Sequence, residues 1–246
     1  MNSRIVAAVF ALAALLVPVC ASAQGGGFYV AGDFGYHAPN LDDTKINAFI
    51  FDTNFSPRND WDAFARLGYG FADDWRAELE LGYRPSDIRE RPLTGILPRD
   101  FVTLPHFGDG NNDTTTLMAN VLYDIPLGLD IQPFVGAGVG VVHADLKHGA
   151  AIACPLCLHP DICTIFGCAG AGVSVDDSVD KFGWQVMGGA SWAFAPQFNL
   201  DLTYRYIRAE NLTWTAQNVF FAGHPTIRAG YTDNSVTLGL RYSFGG

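Results

Sequence analysis

The stretch Trp75-Arg-Ala-Glu-Leu-Glu-Leu-Gly-Tyr83 alternates between two kinds of side chain. Its odd positions are apolar or aromatic throughout, whereas its even positions include Arg76, Glu78 and Glu80. Successive side chains of a β-strand point to opposite faces, so this pattern predicts a strand with one apolar face and one charged face.

The same alternation recurs along the chain in eight segments of similar length. These are Phe28–Tyr36, Trp61–Phe71, Trp75–Tyr83, Thr114–Tyr123, Ile131–Val142, Phe182–Phe194, Phe198–Ile207 and Ser235–Phe244. Each has about the length of a tilted strand that crosses a bilayer, roughly 9–11 residues. The chain is therefore expected to cross a membrane with strands.

The connections between these segments alternate between long and short. The long ones cover residues 37–60, 84–113, 143–181 and 208–234, and the short ones cover 72–74, 124–130 and 195–197. This alternation predicts an all-β fold: an eight-stranded antiparallel up-and-down transmembrane β-barrel with four long extracellular loops and short periplasmic turns. A soluble barrel would instead place its apolar side chains inside and its charges outside.

Aromatic side chains lie near both ends of the predicted strands. Such residues form girdles at the two membrane–water interfaces of outer-membrane barrels. The predicted girdle residues include Trp61, Trp75, Trp184, Trp192, Tyr242 and Phe244.

The N-terminal residues predict export. Arg4 is followed by an apolar run from Ile5 to Val19 and then by the small residues Ala21-Ser-Ala23, a pattern typical of a cleaved secretory signal peptide. The alternative is a membrane anchor, but the run is short for a spanning helix, which needs about 20 residues. We expect a signal peptide over residues 1–23, one barrel domain over residues 24–246, and a location in the bacterial outer membrane.

The interior face of the predicted barrel is charged. Its members are Asp33, Asp62, Arg66, Arg76, Glu78, Glu80, Asp201, Arg205 and Arg241. Charges enclosed in a narrow barrel must pair. A turn centred on Asp73 would place Arg66 opposite Glu80, and closure between the first and last strands could bring Asp33 to Arg241. Because eight strands enclose only enough space for side chains, we expect a structural plug of ion pairs. The alternative is a selectivity filter or gate.

Four cysteines lie in the third long connection, at Cys154, Cys157, Cys163 and Cys168. In an exported chain, an even number of cysteines favours disulfides, here with three possible pairings. A zinc site is the alternative, although the spacings do not match the usual paired CxxC units. We expect two disulfides that rigidify the loop, with no metal site and no cofactor.

Four motifs carry a resemblance to a known family. They are Trp75 to Tyr83, Gln132-Pro-Phe-Val-Gly-Ala-Gly-Val-Gly140, Leu200-Asp-Leu-Thr-Tyr-Arg-Tyr206 and Leu238-Gly-Leu-Arg-Tyr-Ser-Phe244. They resemble the small OmpA-like, opacity-type outer-membrane β-barrel family over nearly the whole exported chain. One departure is that Gly245-Gly246 follow Phe244, where the closing aromatic of the family usually ends the chain. We also expect the chain to lack the C-terminal peptidoglycan-binding domain.

The resemblance implies roles as envelope proteins, surface antigens and adhesins. Its implied partners are outer-membrane lipid, lipopolysaccharide, the barrel-assembly machinery and host or environmental surface ligands. Nucleic acid is not expected, because the chain has 15 basic against 25 acidic residues and a net charge of −10. Some loop residues could be adhesive or could pack against one another. They are Phe49, Ile50, Phe51, Phe55, Trp214, Phe220 and Phe221.

The sequence offers few candidates for catalytic residues. No histidine forms the His-x-Ser arrangement of lipid A deacylase barrels, and His143 with Asp145 is the nearest candidate pair. We therefore expect a non-catalytic protein for envelope integrity and surface interaction or adhesion. A narrow pore for small solutes is the first alternative, and a lipid-modifying enzyme is the second.

Overall fold

The computed structural model of the chain describes residues 26–46, 56–71, 73–89, 110–128, 130–151, 172–218 and 226–244. These residues form ten β-strands. They are β1 (Gly27–Ile46), β2 (Ser56–Pro57), β3 (Asp60–Gly70), β4 (Trp75–Arg84), β5 (Asp87–Arg89), β6 (Gly110–Asp124), β7 (Ile131–Ala151), β8 (Gly172–Ala195), β9 (Phe198–Asn218) and β10 (Thr226–Ser243). The described ranges contain no helix long and apolar enough to span a membrane.

The eight long strands close a ring in which every neighbour is antiparallel. The order around the ring is β1, β3, β4, β6, β7, β8, β9 and β10, and β10 pairs with β1 to complete it. The short strands β2 and β5 pair with each other, and β5 also pairs with the extracellular end of β6. The predicted up-and-down barrel is confirmed.

The eight predicted segments coincide with the long strands at the periplasmic end, where each boundary agrees within one residue. At the extracellular end, the boundaries of β3 and β4 also agree within one residue, but those of the other six long strands were wrong. Strand β7 continues to Ala151 rather than ending at Val142, and β8 begins at Gly172 rather than Phe182. Much of the sequence interpreted as long loops is therefore barrel wall that extends past the membrane.

The predicted strands end too early because the inner and outer faces of the strands exchange their polarity at the extracellular side. On β9, Leu202 and Tyr204 are exposed and apolar or aromatic while Arg205 is buried. Farther along the same strand, Ile207 and Ala209 are buried and Glu210 is exposed. The outer surface changes from lipid-facing to water-facing at this level, so an alternation with a fixed apolar face ends there although the strand does not.

A bulge at Asn211 shifts the alternation of inward and outward side chains on β9 by one residue. Asn211 has a φ of 59°, in the left-handed region that Asn tolerates better than most residues. An extra residue of this kind shifts which side chains face inward. Leu212 and Trp214 consequently both point into the barrel and are fully buried.

The barrel interior has three levels from periplasm to exterior. A small apolar cluster of Leu122, Phe134 and Met187 fills the periplasmic end on the β6–β8 side. Charged residues occupy the middle. A larger apolar cluster fills the extracellular part, and its members are Leu41, Ile88, Met118, Val142, Ala144, Leu146, Val175, Ile207, Ala209, Leu212, Trp214, Ile227, Ala229 and Tyr231. The lumen is thus occupied by side chains at each level.

Candidate functional site: the barrel interior and its extracellular end

Arg66 is the centre of the charged level. Its guanidinium donates to Asp33 on β1 at 2.7 Å, to Glu78 on β4 at 3.0 Å and to Asp201 on β9 at 3.0 Å. All four side chains are 1% exposed or less. A single side chain on β3 therefore joins both of its neighbours, β1 and β4, to β9 on a more distant part of the wall.

Arg205 extends this network towards the extracellular side. Its Nε donates to Glu80 at 3.0 Å, and its other nitrogens donate to Asp33 and to Thr237. Its guanidinium also lies 4.3 Å from the centroid of the Phe64 ring, and that of Arg84 lies 4.6 Å from the same ring. Guanidinium groups stack favourably on aromatic rings, so Phe64 links two cations that would otherwise repel each other.

The periplasmic side of the network is built around Glu78 and Asp201. Tyr29 donates its hydroxyl to Glu78 at 2.6 Å. Arg76 lies 3.5 Å from Glu78 and donates to Asp124 at 2.7 Å, while Arg241 lies 3.5 Å from Asp201. The ninth predicted interior residue, Asp62, is fully buried towards the extracellular end, where it interacts with Arg84 and His37.

The predicted backbone register was right, but the predicted ion pairs were wrong. Arg66 is the register partner of Glu80, yet Arg205 and Gln185 bind the Glu80 carboxylate. Asp33 lies opposite Gly239, and Arg241 donates to Ser191 rather than to Asp33. Long side chains in a narrow lumen reach across it, so directly opposite residues are not their nearest charged partners.

Neutral polar residues of the interior were missed by the sequence reasoning. Gln185 on β8 donates to Glu80 at 2.9 Å and to Asn120 on β6 at 2.8 Å. Both amides sit at inward positions of their strands, so the alternation itself could have identified them. With these contacts, the network includes β6 and β8.

Glycines make room for the network on two strands. A Cβ at Gly239 would overlap the carboxylate of Asp33, and one at Gly68 would overlap the ring of Tyr29. Both glycines are therefore close-approach positions for buried side chains of β1.

Gly239→Ala is expected to lower the free energy of unfolding by about 1–3 kcal/mol, the usual cost of overpacking, because Asp33 must move away from Arg66 and Arg205. Chemical unfolding in detergent micelles measures this change. Gly32→Ala is the matched control, because its Cβ would point outwards and approach only the Phe64 carbonyl oxygen, at 4.0 Å. Equal destabilisation by both substitutions would contradict this account of Gly239.

A second polar cluster lies at the extracellular end of the β1–β10 seam. His37 is 1% exposed; its Nδ1 lies 3.0 Å from Asp233 Oδ2 and its Nε2 lies 2.8 Å from the Pro85 carbonyl oxygen. Tyr231 donates to the same carboxylate oxygen at 2.9 Å, and Arg84 Nε lies 3.4 Å from it. This cluster was also missed, because its members lie in sequence interpreted as loop or at strand ends.

The electrostatics of this cluster favour a charged His37. Burial alone would lower the pKa of His37, but the hydrogen bond and charge of Asp233, the Pro85 carbonyl and the charge of Asp62 outweigh burial and raise it. Burial and the charge of Asp233 raise the pKa of Tyr231 well above its ordinary value, so this phenol stays a hydrogen-bond donor.

The outer surface carries the predicted aromatic side chains. Trp61, Trp75, Trp184 and Trp192 are 40–48% exposed. Ring contacts connect them and their neighbours: Trp61 stacks on Phe34 at 5.9 Å, and Trp75 lies 5.0 Å from Tyr123. Tyr242 contacts both Phe198 and Phe244, each at 5.0 Å between ring centroids.

The candidate catalytic pair lies on the outer side of β7. His143 Nε2 is 3.5 Å from Asp145, and its Nδ1 is 2.6 Å from Asp180 on β8. Both ring nitrogens thus face carboxylates, and Nδ1 is hydrogen-bonded to Asp180. Within the described ranges, no three His, Cys, Asp or Glu residues are placed to hold a metal ion.

Several predicted residues lie outside the described residues. These are the signal peptide residues 1–23, the four cysteines Cys154, Cys157, Cys163 and Cys168, and the loop residues Phe49, Ile50, Phe51, Phe55, Phe220 and Phe221. Among the apolar loop candidates, Trp214 is described and fully buried, with its indole nitrogen donating to the Ala144 carbonyl at 3.2 Å. Its role is packing.

The ring of strands with an apolar outer band agrees with comparison to known families. Residues 7–244 match the family described as the outer membrane protein beta-barrel domain. The chain belongs to this family. It is an outer-membrane β-barrel, and the predicted fold class, family and outer-membrane location are confirmed.

Individual relatives of this outer-membrane β-barrel are distant. An uncharacterised protein of Brucella suis is 25% identical in an alignment of 254 positions, gaps included, that covers 89% of this chain and 85% of that protein. The outer membrane protein PagN of Salmonella typhimurium is 26% identical over 187 residues, covering 72% and 70% of the two chains. The crystal structure of Neisserial surface protein A aligns with a TM-score of 0.51 and 16% identity over 90% of this chain and all of that one. This structural likeness supports the fold.

Proposed function

We propose that this outer-membrane β-barrel is a non-catalytic protein that supports the envelope and interacts with surfaces through its extracellular connections. The observation that carries the proposal is the filled interior. The network around Arg66 and Arg205 crosses the lumen, with apolar clusters packed on both sides. A barrel closed in this way is a rigid support, which leaves the extracellular connections as the place for specific binding.

The adhesive part of the proposal is tested by replacing residues 47–55, 90–109, 152–171 or 219–225 with short turns. Cells that produce each variant are compared for adherence to glass and to cultured epithelial monolayers. At least one replacement is expected to reduce adherence to that of cells without the protein. Migration of the unheated protein on a denaturing gel verifies that each barrel is folded. Full adherence by all four folded variants would contradict the proposal.

A narrow pore is the second candidate, and one observation favours it. Some buried polar atoms at the extracellular side have no hydrogen-bond partner among the described residues, including Arg84 Nη2 and both side-chain amide atoms of Asn112. Ordered water satisfies such atoms in many proteins, and a continuous file of water would be needed for conduction.

Planar-bilayer recording separates the two candidates. With the lumen closed by ion pairs, purified protein is expected to give no stable single-channel currents. If stable currents were recorded and their size changed in Arg66→Met or Glu80→Gln protein, the barrel would be a pore. A preparation of the same protein that is heat-unfolded before addition controls for detergent leakage.

A further inference from the structure

We propose that His37 is a pH-dependent latch that holds the bases of the first and second extracellular connections on the barrel wall. The first connection contains β2, and the second contains β5. The proposal concerns the attachment of these segments and is independent of any ligand that they bind.

Both nitrogens of the His37 ring face oxygens that can only accept hydrogen bonds. Nδ1 faces the Asp233 carboxylate and Nε2 faces the Pro85 carbonyl. A neutral imidazole carries one N–H and an imidazolium carries two. The observed geometry is therefore satisfied only by the protonated ring.

Pro85 is where the latch meets the extracellular segments. It follows directly after β4, and the next residue, Ser86, accepts from the Asn112 amide of β6 at 2.7 Å and donates its hydroxyl to the Arg58 carbonyl at 2.8 Å. The Arg58 amide in turn donates to the Asp87 carbonyl at 2.7 Å. The residues next to Pro85 thus connect β2, β5 and β6, and His37 fixes this junction to β1 and β10.

Loss of the proton would break one side of the latch. Hydrogen bonds to a charged acceptor are stronger than those to a neutral one, so the remaining N–H stays on Nδ1 against Asp233. The lone pair of Nε2 would then face the Pro85 carbonyl oxygen, and the junction would lose its contact with β1.

The charged and titratable groups around His37 set the direction of the pH dependence. Asp233 and Tyr231 face it from β10, Arg84 approaches from β4, and Asp62 acts from β3. The pKa of His37 in the folded protein lies above its ordinary value of 6.5. Its contribution is therefore complete below the pKa of the unfolded chain and is lost as the pH rises through the folded value.

The test is hydrogen exchange at the amides of Arg58 and Asn112, corrected for the intrinsic effect of pH. Between pH 6 and pH 9.5, protection of these amides in the folded protein is expected to fall about tenfold, the change that corresponds to losing one hydrogen bond to a charged donor. In His37→Phe protein, protection is expected to be low at both values. His143→Phe, on the outer side of β7, is the matched control and should keep the pH dependence of the unsubstituted protein.

Two results would overturn the latch. One is equal protection at both pH values in the unsubstituted protein, and the other is the same pH-dependent fall in His37→Phe. If His37→Phe does not fold, nitrogen NMR of the unsubstituted protein decides the question alone. A His37 ring that still carries protons on both nitrogens above pH 6.5 supports the latch, and a ring that is already neutral at pH 6.5 refutes it.

Discussion

Arg66→Met is expected to lower the free energy of unfolding by about 3–5 kcal/mol, the usual cost of removing one partner from a buried ion network. Methionine keeps most of the apolar stem but none of the donors. Asp33, Glu78 and Asp201 would each lose a hydrogen bond from the guanidinium while remaining buried in the lumen. Urea unfolding in detergent micelles, followed by tryptophan fluorescence, measures the change.

The control for Arg66→Met is Arg208→Met. Arg208 pairs with Glu210 at 2.9 Å, which is as short as the contacts of Arg66. Unlike in the Arg66 network, the side chains of both partners are exposed on the outer surface. Exposed pairs contribute little because water competes for both partners. We expect no resolvable change for Arg208→Met. A loss of stability similar to that of Arg66→Met would show that burial is not the deciding factor.

Leu79→Arg is expected to destabilise the barrel in lipid bilayers by about 2–4 kcal/mol, the range for an arginine on the lipid face near the bilayer midplane. Leu79 lies at the middle of β4, between Trp75 at one end and Tyr83 at the other. Its side chain is 50% exposed, and that exposure is to lipid. Unfolding from lipid vesicles measures this effect.

Leu127→Arg is the control for the lipid face. Leu127 lies in the short connection between β6 and β7 and is 55% exposed, nearly the same fraction as Leu79. Its surroundings are aqueous, so an arginine there is expected to leave stability unchanged. The two substitutions add the same charge at equally exposed sites. Equal effects would therefore contradict the assignment of the outer face of β4 to the membrane.

The sequence predicted the membrane-spanning part of the fold because one physical rule governs it. Between the aromatic girdles, the lipid-facing side chains are apolar and most of the lumen-facing ones are polar, as β4 shows from Trp75 to Tyr83. Connection lengths then determined the topology. The backbone partner of Arg66 was also predictable, because a tight turn at Asp73 fixes the register of β3 and β4.

The rest could not be predicted by the same rule. Above the membrane, Trp214 and Tyr231 turn inward and the outer surface becomes polar, so a strand predicted from one constant apolar face ends too early. Side-chain pairing in the lumen depends on reach across the barrel, as Arg205 and Glu80 show, and register alone does not specify it. The His37 cluster joins Asp233 to Pro85 from distant parts of the chain, which only the closed ring brings together.

The barrel wall has unequal heights, and this gives the molecule an oblique rim. Strand β8 continues from Trp184 to Gly172, roughly 40 Å of strand at about 3.3 Å per residue, whereas β3 extends only from Trp61 to Asp60. The connection between β7 and β8 therefore begins far outside the bilayer, while the connection that leads into β3 ends beside it. Of the described strands, those on the β7–β8 side would be the first to meet a particle approaching the cell, and β3 would end level with the lipid head groups.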